Sequence, residues 1–177
     1  MNTSKNNVAL VTGASDGIGA EFVEILAGRG YDLILVARRE EKLNELAVRL
    51  SDEFGVECTV MAADLSEPKA AQNLFQRIED RGLQVNFLIN NAGLLHNGFF
   101  AKLSLEAQEK MIQVNVIALT ALTHLYAAKM SSNGGGHILN VASLAGWMAI
   151  PNQNVYAASK AYAVSYTHLT LPTILLV

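Results

Sequence analysis

Tyr156 and Lys160 stand four residues apart in Val-Tyr-Ala-Ala-Ser-Lys (155–160), and Ser143 ends the preceding run Gly-His-Ile-Leu-Asn-Val-Ala-Ser (136–143). On a helix, residues at i and i+4 share one face, with Cβ atoms about 5–6 Å apart. The Lys160 ammonium can therefore lie beside the Tyr156 phenol and favour phenolate. A free phenol titrates near ~10, and an opposite charge within ~4–6 Å lowers a pKa by roughly 1–3 units. That brings a tyrosine toward proton transfer at neutral pH. With a hydroxyl at Ser143, the set points to hydride chemistry. Tyr-x-x-x-Lys is also a common surface pairing, so the surrounding elements have to decide.

Those elements alternate in period between 2 and 3.6. The pattern predicts strands over 8–12, 32–37, 57–62 and 86–90, separated by helices over 18–29, 40–54 and 68–81. One helical stretch follows from about Ser104 to Met130, then a break at Gly134-Gly-Gly, a strand over 137–142, a loop through Pro151 and a helix from about Gln153. Strands written as unbroken apolar runs, such as Val8-Ala-Leu-Val and Leu33-Ile-Leu-Val, are buried on both faces. The expected fold is therefore α/β, a doubly wound parallel sheet with helices on both faces.

The first strand opens into Thr12-Gly-Ala-Ser-Asp-Gly-Ile-Gly19 and then a helix. In that setting Gly13 makes a tight turn, Gly17 lets backbone approach a pyrophosphate, and Gly19 allows helix to pack closely on strand. Ser15, Asp16 and Ile18 complete a candidate nucleotide loop. After the second strand, an acidic residue would bond a ribose 2′-hydroxyl, whereas arginine accommodates a 2′-phosphate. The chain has Ala37-Arg38-Arg39, which favours NADP(H), with NAD(H) possible. Arg38 is the main candidate for the phosphate and Arg39 a helper; both can instead be solvated helix-start residues. Asp16 is negative where another basic residue would strengthen that reading.

Asp64, followed by Leu65, either accepts from an adenine amino group beside an apolar wall or caps the next helix. Asn90-Asn91-Ala92-Gly93 ends the fourth strand. Ala92 and Gly93 let a ligand lie against backbone, and the asparagines either bind it or satisfy strand-end groups. A mid-helix Asn115 often marks a kink or a local backbone bond.

Composition narrows the classes. The 177 residues are 51% hydrophobic and 16% charged, enough apolar content for one packed domain. A net charge of −3 with interspersed signs excludes a nucleic-acid footprint. The polar N-terminus and the lack of an uninterrupted apolar run of ~18 residues lead to the expectation of a cytoplasmic protein with no membrane partner. Cys58 is expected to be a buried structural thiol. His96, His124, His137 and His168 match no metal-ligand spacing, so no metal is expected.

Thr-Gly-x-x-x-Gly-x-Gly (12–19), Asn-Asn-Ala-Gly (90–93), Asn115, Ser143 and Tyr156-x-x-x-Lys160, in this order and spacing, resemble the short-chain dehydrogenase/reductase family from about Val8 to Ala163. The resemblance implies a Rossmann-like domain that binds NADP(H) and acts on a small carbonyl or alcohol, in a homo-oligomer. It implies that Tyr156 is the acid/base at the substrate oxygen, that Ser143 orients this oxygen, that Lys160 tunes the phenol and holds the nicotinamide ribose, and that Asn115 carries a water linking Lys160 to solvent. Trp147, Met148 and Ile150 fall where the family lines its substrate pocket; loop packing is the alternative. Sugar-nucleotide epimerases share Tyr-x-x-x-Lys but not this glycine spacing. A dinucleotide-binding protein without turnover, or an inactive fragment, are the rival readings.

From Val164 the chain becomes β-rich and contains Pro172, a composition poor at continuing a helix. Val164–Thr173 can be encoded by read-through of a transposon-type sequencing-library adapter. Residues 164–177 are therefore expected to be a non-native tail, and 1–163 an incomplete domain lacking the family's last strands. The strand before Ser143 then becomes a bare sheet edge.

Overall fold

The structure, a computed structural model, describes residues 7–148 and 150–167. Its strands are β1 (Val8–Thr12), β2 (Asp32–Ala37), β3 (Cys58–Ala62), β4 (Val85–Asn90) and β5 (His137–Asn140). They form one parallel sheet in the order β3-β2-β1-β4-β5, with Leu10 opposite both Ile34 and Leu88. The order reverses between β1 and β4, so their carboxyl ends open a crevice of the kind that holds ligands in such sheets. Among the described residues, β5 pairs only through β4 and forms an edge.

Alternation along each strand explains the two helix layers. Ala9, Val11, Leu33, Leu35 and Ile89 point toward α1 (Gly17–Ala27) and α2 (Glu40–Phe54). Leu10, Ile34, Val36, Met61 and Leu88 point toward α3 (Ala70–Glu79) and α5 (Leu119–Ser132). All ten are buried, and full burial of one such aliphatic side chain is worth about 1.5–3 kcal/mol. Leu43, Leu46, Ala47 and Leu50 form the matching buried stripe of α2.

Several expected boundaries change. Helix 18–29 is Gly17–Ala27. Helix 68–81 shortens to Ala70–Glu79, its start delayed by Lys69, the N-cap, in a left-handed conformation (φ 61°). β5 ends at Asn140 rather than Ala142, its last bond to β4 being Val141 N–H to Asn90 O. The predicted single helix from Ser104 is α4 (Leu105–Ile112), a π-helical segment (Gln113–Ala118) and α5 in continuous succession. This 28-residue span is by length and mean hydropathy apolar enough to cross a membrane, which a search for uninterrupted apolar runs does not register. Its face carrying Leu119, Leu122, Tyr126 and Met130 is buried in the domain.

The helical break expected at Val164 is corrected: α6 (Asn154–Thr167) continues through it. Ala163 and Val164 are buried and Tyr162 stacks on Tyr166 at 5.3 Å, so packing outweighs the low propensity of the sequence. The rest of the expected tail, 168–177, lies outside the described residues. Cys58 is half-buried rather than buried, with its thiol pKa raised by desolvation.

Candidate active site

Thr12 and Asn91 tie the ends of β1 and β4 together. The buried Thr12 hydroxyl donates to Ile89 O (3.3 Å) and accepts from the N–H groups of Asn91 (3.1 Å) and Ala92 (3.0 Å). Asn91 Nδ2 returns a bond to Thr12 O (3.0 Å) and lies 3.3 Å from Gly13 O. The Asn91 side chain thus satisfies strand-end groups, one of the two roles open to it. The suture fixes the glycine loop against Ala92 and Gly93.

Glycine is required here for steric reasons. Gly13 has φ +69°, and a Cβ on it would lie 2.8 Å from Asn91 Nδ2; on Gly19 it would lie 2.1 Å from Gly13 O. Gly17 differs, with φ +53° and nothing within 4 Å of its Cβ position. Its backbone faces open space at the start of α1, where N–H groups and the helix dipole favour an anion. Ile18 is exposed beside it.

A recess opens beside this loop, lined by Gly13, Ser15, Ala37, Arg38, Arg39, Asp64, Leu65, Ala92 and Gly93, together with Val36, Ala63, Ser66, Leu94 and Val114. Asp64 does not cap α3. Its Oδ1 accepts from Ser66 N (2.9 Å) and Ser66 Oγ (2.7 Å), folding a local turn over the recess. Burial opposes ionisation of Asp64, but the Ser66 bonds and the nearby Arg38 and Lys110 outweigh it, leaving the carboxyl below its usual range. Arg39 turns toward the glycine loop, donating to Asp16 Oδ2 (3.1 Å) and Ser15 Oγ (3.4 Å). Asp16 also caps α1 by accepting from Gly17 N, with Lys42 3.7 Å away. These contacts, the Arg39 bond foremost, lower the Asp16 pKa.

The chemical residues gather where α6 crosses the sheet end. Lys160 is only 5% exposed, and its Nζ donates to Val141 O (2.8 Å) and stands 5.9 Å from the Tyr156 ring centroid. Burial lowers the Lys160 pKa. A Cβ on Gly93 would lie 3.5 Å from Lys160 Nζ and 3.8 Å from Asn115 Oδ1, so the nucleotide recess and the lysine share a wall. Ser143 Oγ accepts from Ala145 N (3.2 Å), capping a short 3₁₀ turn (Leu144–Gly146). Gly146 seats that turn on α6, since a Cβ there would lie 2.8 Å from the carbonyl carbon and oxygen of Lys160.

Asn115 occupies the π-helical segment, a distortion common at functional sites. Its side chain receives Leu94 N–H (2.8 Å) and donates to Leu94 O (3.0 Å) and Ser159 Oγ (2.9 Å). Ser159 in turn donates to Tyr156 O (2.7 Å). Sequence reasoning missed Ser159 and Ser66, two hydroxyls given no role of their own; only their positions beside Lys160 and Asp64 could have flagged them. Trp147 and Met148 are 68% and 61% exposed, and Trp147 borders a recess with Phe22, Leu139 and Leu144. Ile150 borders an open depression with Phe99, Phe100, Pro151 and Ala157.

A family model described as short chain dehydrogenase matches residues 7–171. The 7beta-hydroxysteroid dehydrogenase of Collinsella aerofaciens is 36% identical over 158 residues, covering 89% of this chain and 59% of that protein. A very-long-chain 3-oxoacyl-CoA reductase of Phaeosphaeria nodorum is 39% identical over 159 residues, covering 87% of this chain and 46% of that one. Among solved structures, a short-chain dehydrogenase from Sphingobium yanoikuyae in complex with NADPH superposes with a TM-score of 0.86 at 37% identity, covering 92% of this chain and 63% of that one. The chain thus spans less than two thirds of the length of each.

Proposed function

The chain belongs to the short chain dehydrogenase family, and on that premise we propose that its parent protein is an oxidoreductase moving hydride between NADP(H) and a carbonyl or alcohol substrate. The observation that carries the proposal is the buried Lys160 ammonium against the Tyr156 ring, on the wall shared with the nucleotide recess. The recess suits a dinucleotide: Gly17 leaves backbone open at a helix N-terminus, and Arg38 and Arg39 in its lining supply cations for a 2′-phosphate. Bound there, the nicotinamide nucleotide supplies or accepts the hydride. Gly13, Ser15, Gly17, Ile18 and Gly19 would hold the pyrophosphate, and Asp64, Leu65, Ala92 and Gly93 would wall the adenosine side.

In the reducing direction Tyr156 gives its phenolic proton to the substrate oxygen, and Lys160 stands beside the phenolate that remains. Ser143 retains its own O–H for that same oxygen, since it only accepts from Ala145 N, and a fixed donor at developing negative charge lowers the barrier. Asn115 positions the lysine wall by holding Leu94 and Ser159. Its amide is already committed to these partners. The exposed apolar side chains of Trp147 and Met148, which follow Ser143 in the chain, favour an apolar carbonyl compound.

A second reading is nucleotide binding without turnover, for which the glycine loop and the recess suffice. Carbonyl-dependent oxidation of NADPH across a panel of bulky ketones tests the first reading. Binding of NADPH with no oxidation by any ketone would favour the second. We further propose a cytoplasmic homo-oligomer for the parent protein.

A further inference from the structure

We infer that Asn152 is a positioning residue for Tyr156: its left-handed backbone closes a bonded ring that holds the first turn of α6 against the loop after Gly93. The inference rests on the proposed role of Tyr156 as proton donor. Among the described residues other than glycine, Lys69 and Asn152 have positive φ, at 61° and 66°. Lys69 is accounted for by the start of α3. Asn152 directly precedes Gln153 and the helix that carries Tyr156, and backbone of this kind gathers at functional sites.

The ring runs through both loops of the site. Gly98 N–H donates to Asn152 O (3.0 Å). Ser159 Oγ donates to Tyr156 O (2.7 Å) and accepts from Asn115 Nδ2 (2.9 Å). Asn115 grips both backbone groups of Leu94, and the chain from Leu94 leads back to Gly98. Tyr156 lies on this ring, between Asn152 and Ser159.

From Ser159 onward α6 is seated by the buried Ser159, Lys160, Ala163 and Val164. Ahead of Ser159 it has no such anchor, since Asn154 and Ala158 are exposed and Tyr156 is half-buried. Among the described residues, the hydrogen bond that joins 150–157 to a distant part of the chain is the one from Gly98. Aiming the Asn152 carbonyl at Gly98 takes a positive φ, which asparagine and glycine adopt more readily than alanine or a β-branched residue. Every substitution keeps that carbonyl, so a series at this position ranks the backbone conformation, and its glycine member removes the side chain without straining the turn.

The test compares Asn152→Gly, Asn152→Ala and Asn152→Val in the full chain. It reads kcat and KM with a ketone that the wild type reduces, the Kd for NADPH, and hydrogen exchange of the amides over 154–159. Asn152→Gly is expected to keep kcat within about twofold of the wild type. Asn152→Ala is expected to lower kcat about fivefold and Asn152→Val further, following the left-handed penalty. The Kd for NADPH is expected to hold and exchange to quicken in the same order; where Val does not fold, Ala decides. A glycine variant as slow as the alanine one, wild-type kcat in Ala and Val, or NADPH affinity lost in step with kcat would overturn the inference. Faster exchange with unchanged kcat would do the same and leave the hydride-transfer reading in place. A wild type that reduces no ketone would overturn that reading, and the inference with it.

Discussion

Asn115 holds both backbone polar groups of Leu94, receiving its N–H at 2.8 Å and donating to its C=O at 3.0 Å. A side chain from the π-helical segment thereby pairs like a strand with the chain that follows Gly93. Removing it orphans part-buried groups of Leu94 and the buried Ser159 hydroxyl. Asn115→Ala is expected to destabilise the protein by about 1–3 kcal/mol for each orphaned group, whereas Ser159→Ala, which removes one partner of the same amide, costs less. Urea denaturation of both variants checks the order; equal losses would contradict it.

The glycine loop separates steric need from ligand approach. Gly19→Ala places a methyl 2.1 Å from Gly13 O, and relief by backbone movement costs about 1–3 kcal/mol. Gly17→Ala meets nothing within 4 Å, so only its left-handed conformation is penalised, by roughly 1 kcal/mol. Both substitutions are expected to weaken NADPH binding, but only Gly19→Ala to lower the melting temperature strongly. A melting temperature lowered more by Gly17→Ala would refute this division.

Lys160 carries a pH signature with a definite sign. Burial lowers its pKa in the folded protein, below an unfolded value near ~10.4. Between these two values the unfolded chain binds more protons, so stability rises with pH there. Below the folded pKa the penalty of burying the ammonium is present in full. Lys160→Met abolishes the titration, so its stability relative to wild type is expected to fall as pH rises through that window. A difference independent of pH would rule out a depressed Lys160.

Arg38 lines the recess and is proposed as the main phosphate contact. Arg38→Ala is expected to raise the Kd for NADPH roughly tenfold, as loss of a hydrogen bond between charged groups does, while leaving NADH nearly unchanged. Equal weakening of both nucleotides would assign Arg38 a general electrostatic role instead.

Apolar periodicity made the sheet and both helix layers legible, because Leu10 and Val11 are buried on opposite faces and leave no polar side to mislead. The glycine loop was legible for the same local reason: strand, turn and helix follow one another directly. The π-helical segment was not, since Gln113–Ala118 continues the helical apolar pattern while only its backbone bonding changes. Nor was the Asp16–Arg39 pair, which joins residues 23 apart through the approach of two loops. Helix α6 outran its expected end because Ala163 and Val164 are buried, a property of the packing partner and not of the segment.

Tyr156→Phe gives the most direct test of the central claim, that Tyr156 is the proton donor of a hydride-transfer site built on Lys160 and Ser143. With a ketone turned over by the wild type, the variant is expected to oxidise NADPH about 10²–10⁴-fold more slowly while binding NADPH with near-wild-type affinity. Wild-type-like turnover by the variant would contradict the claim.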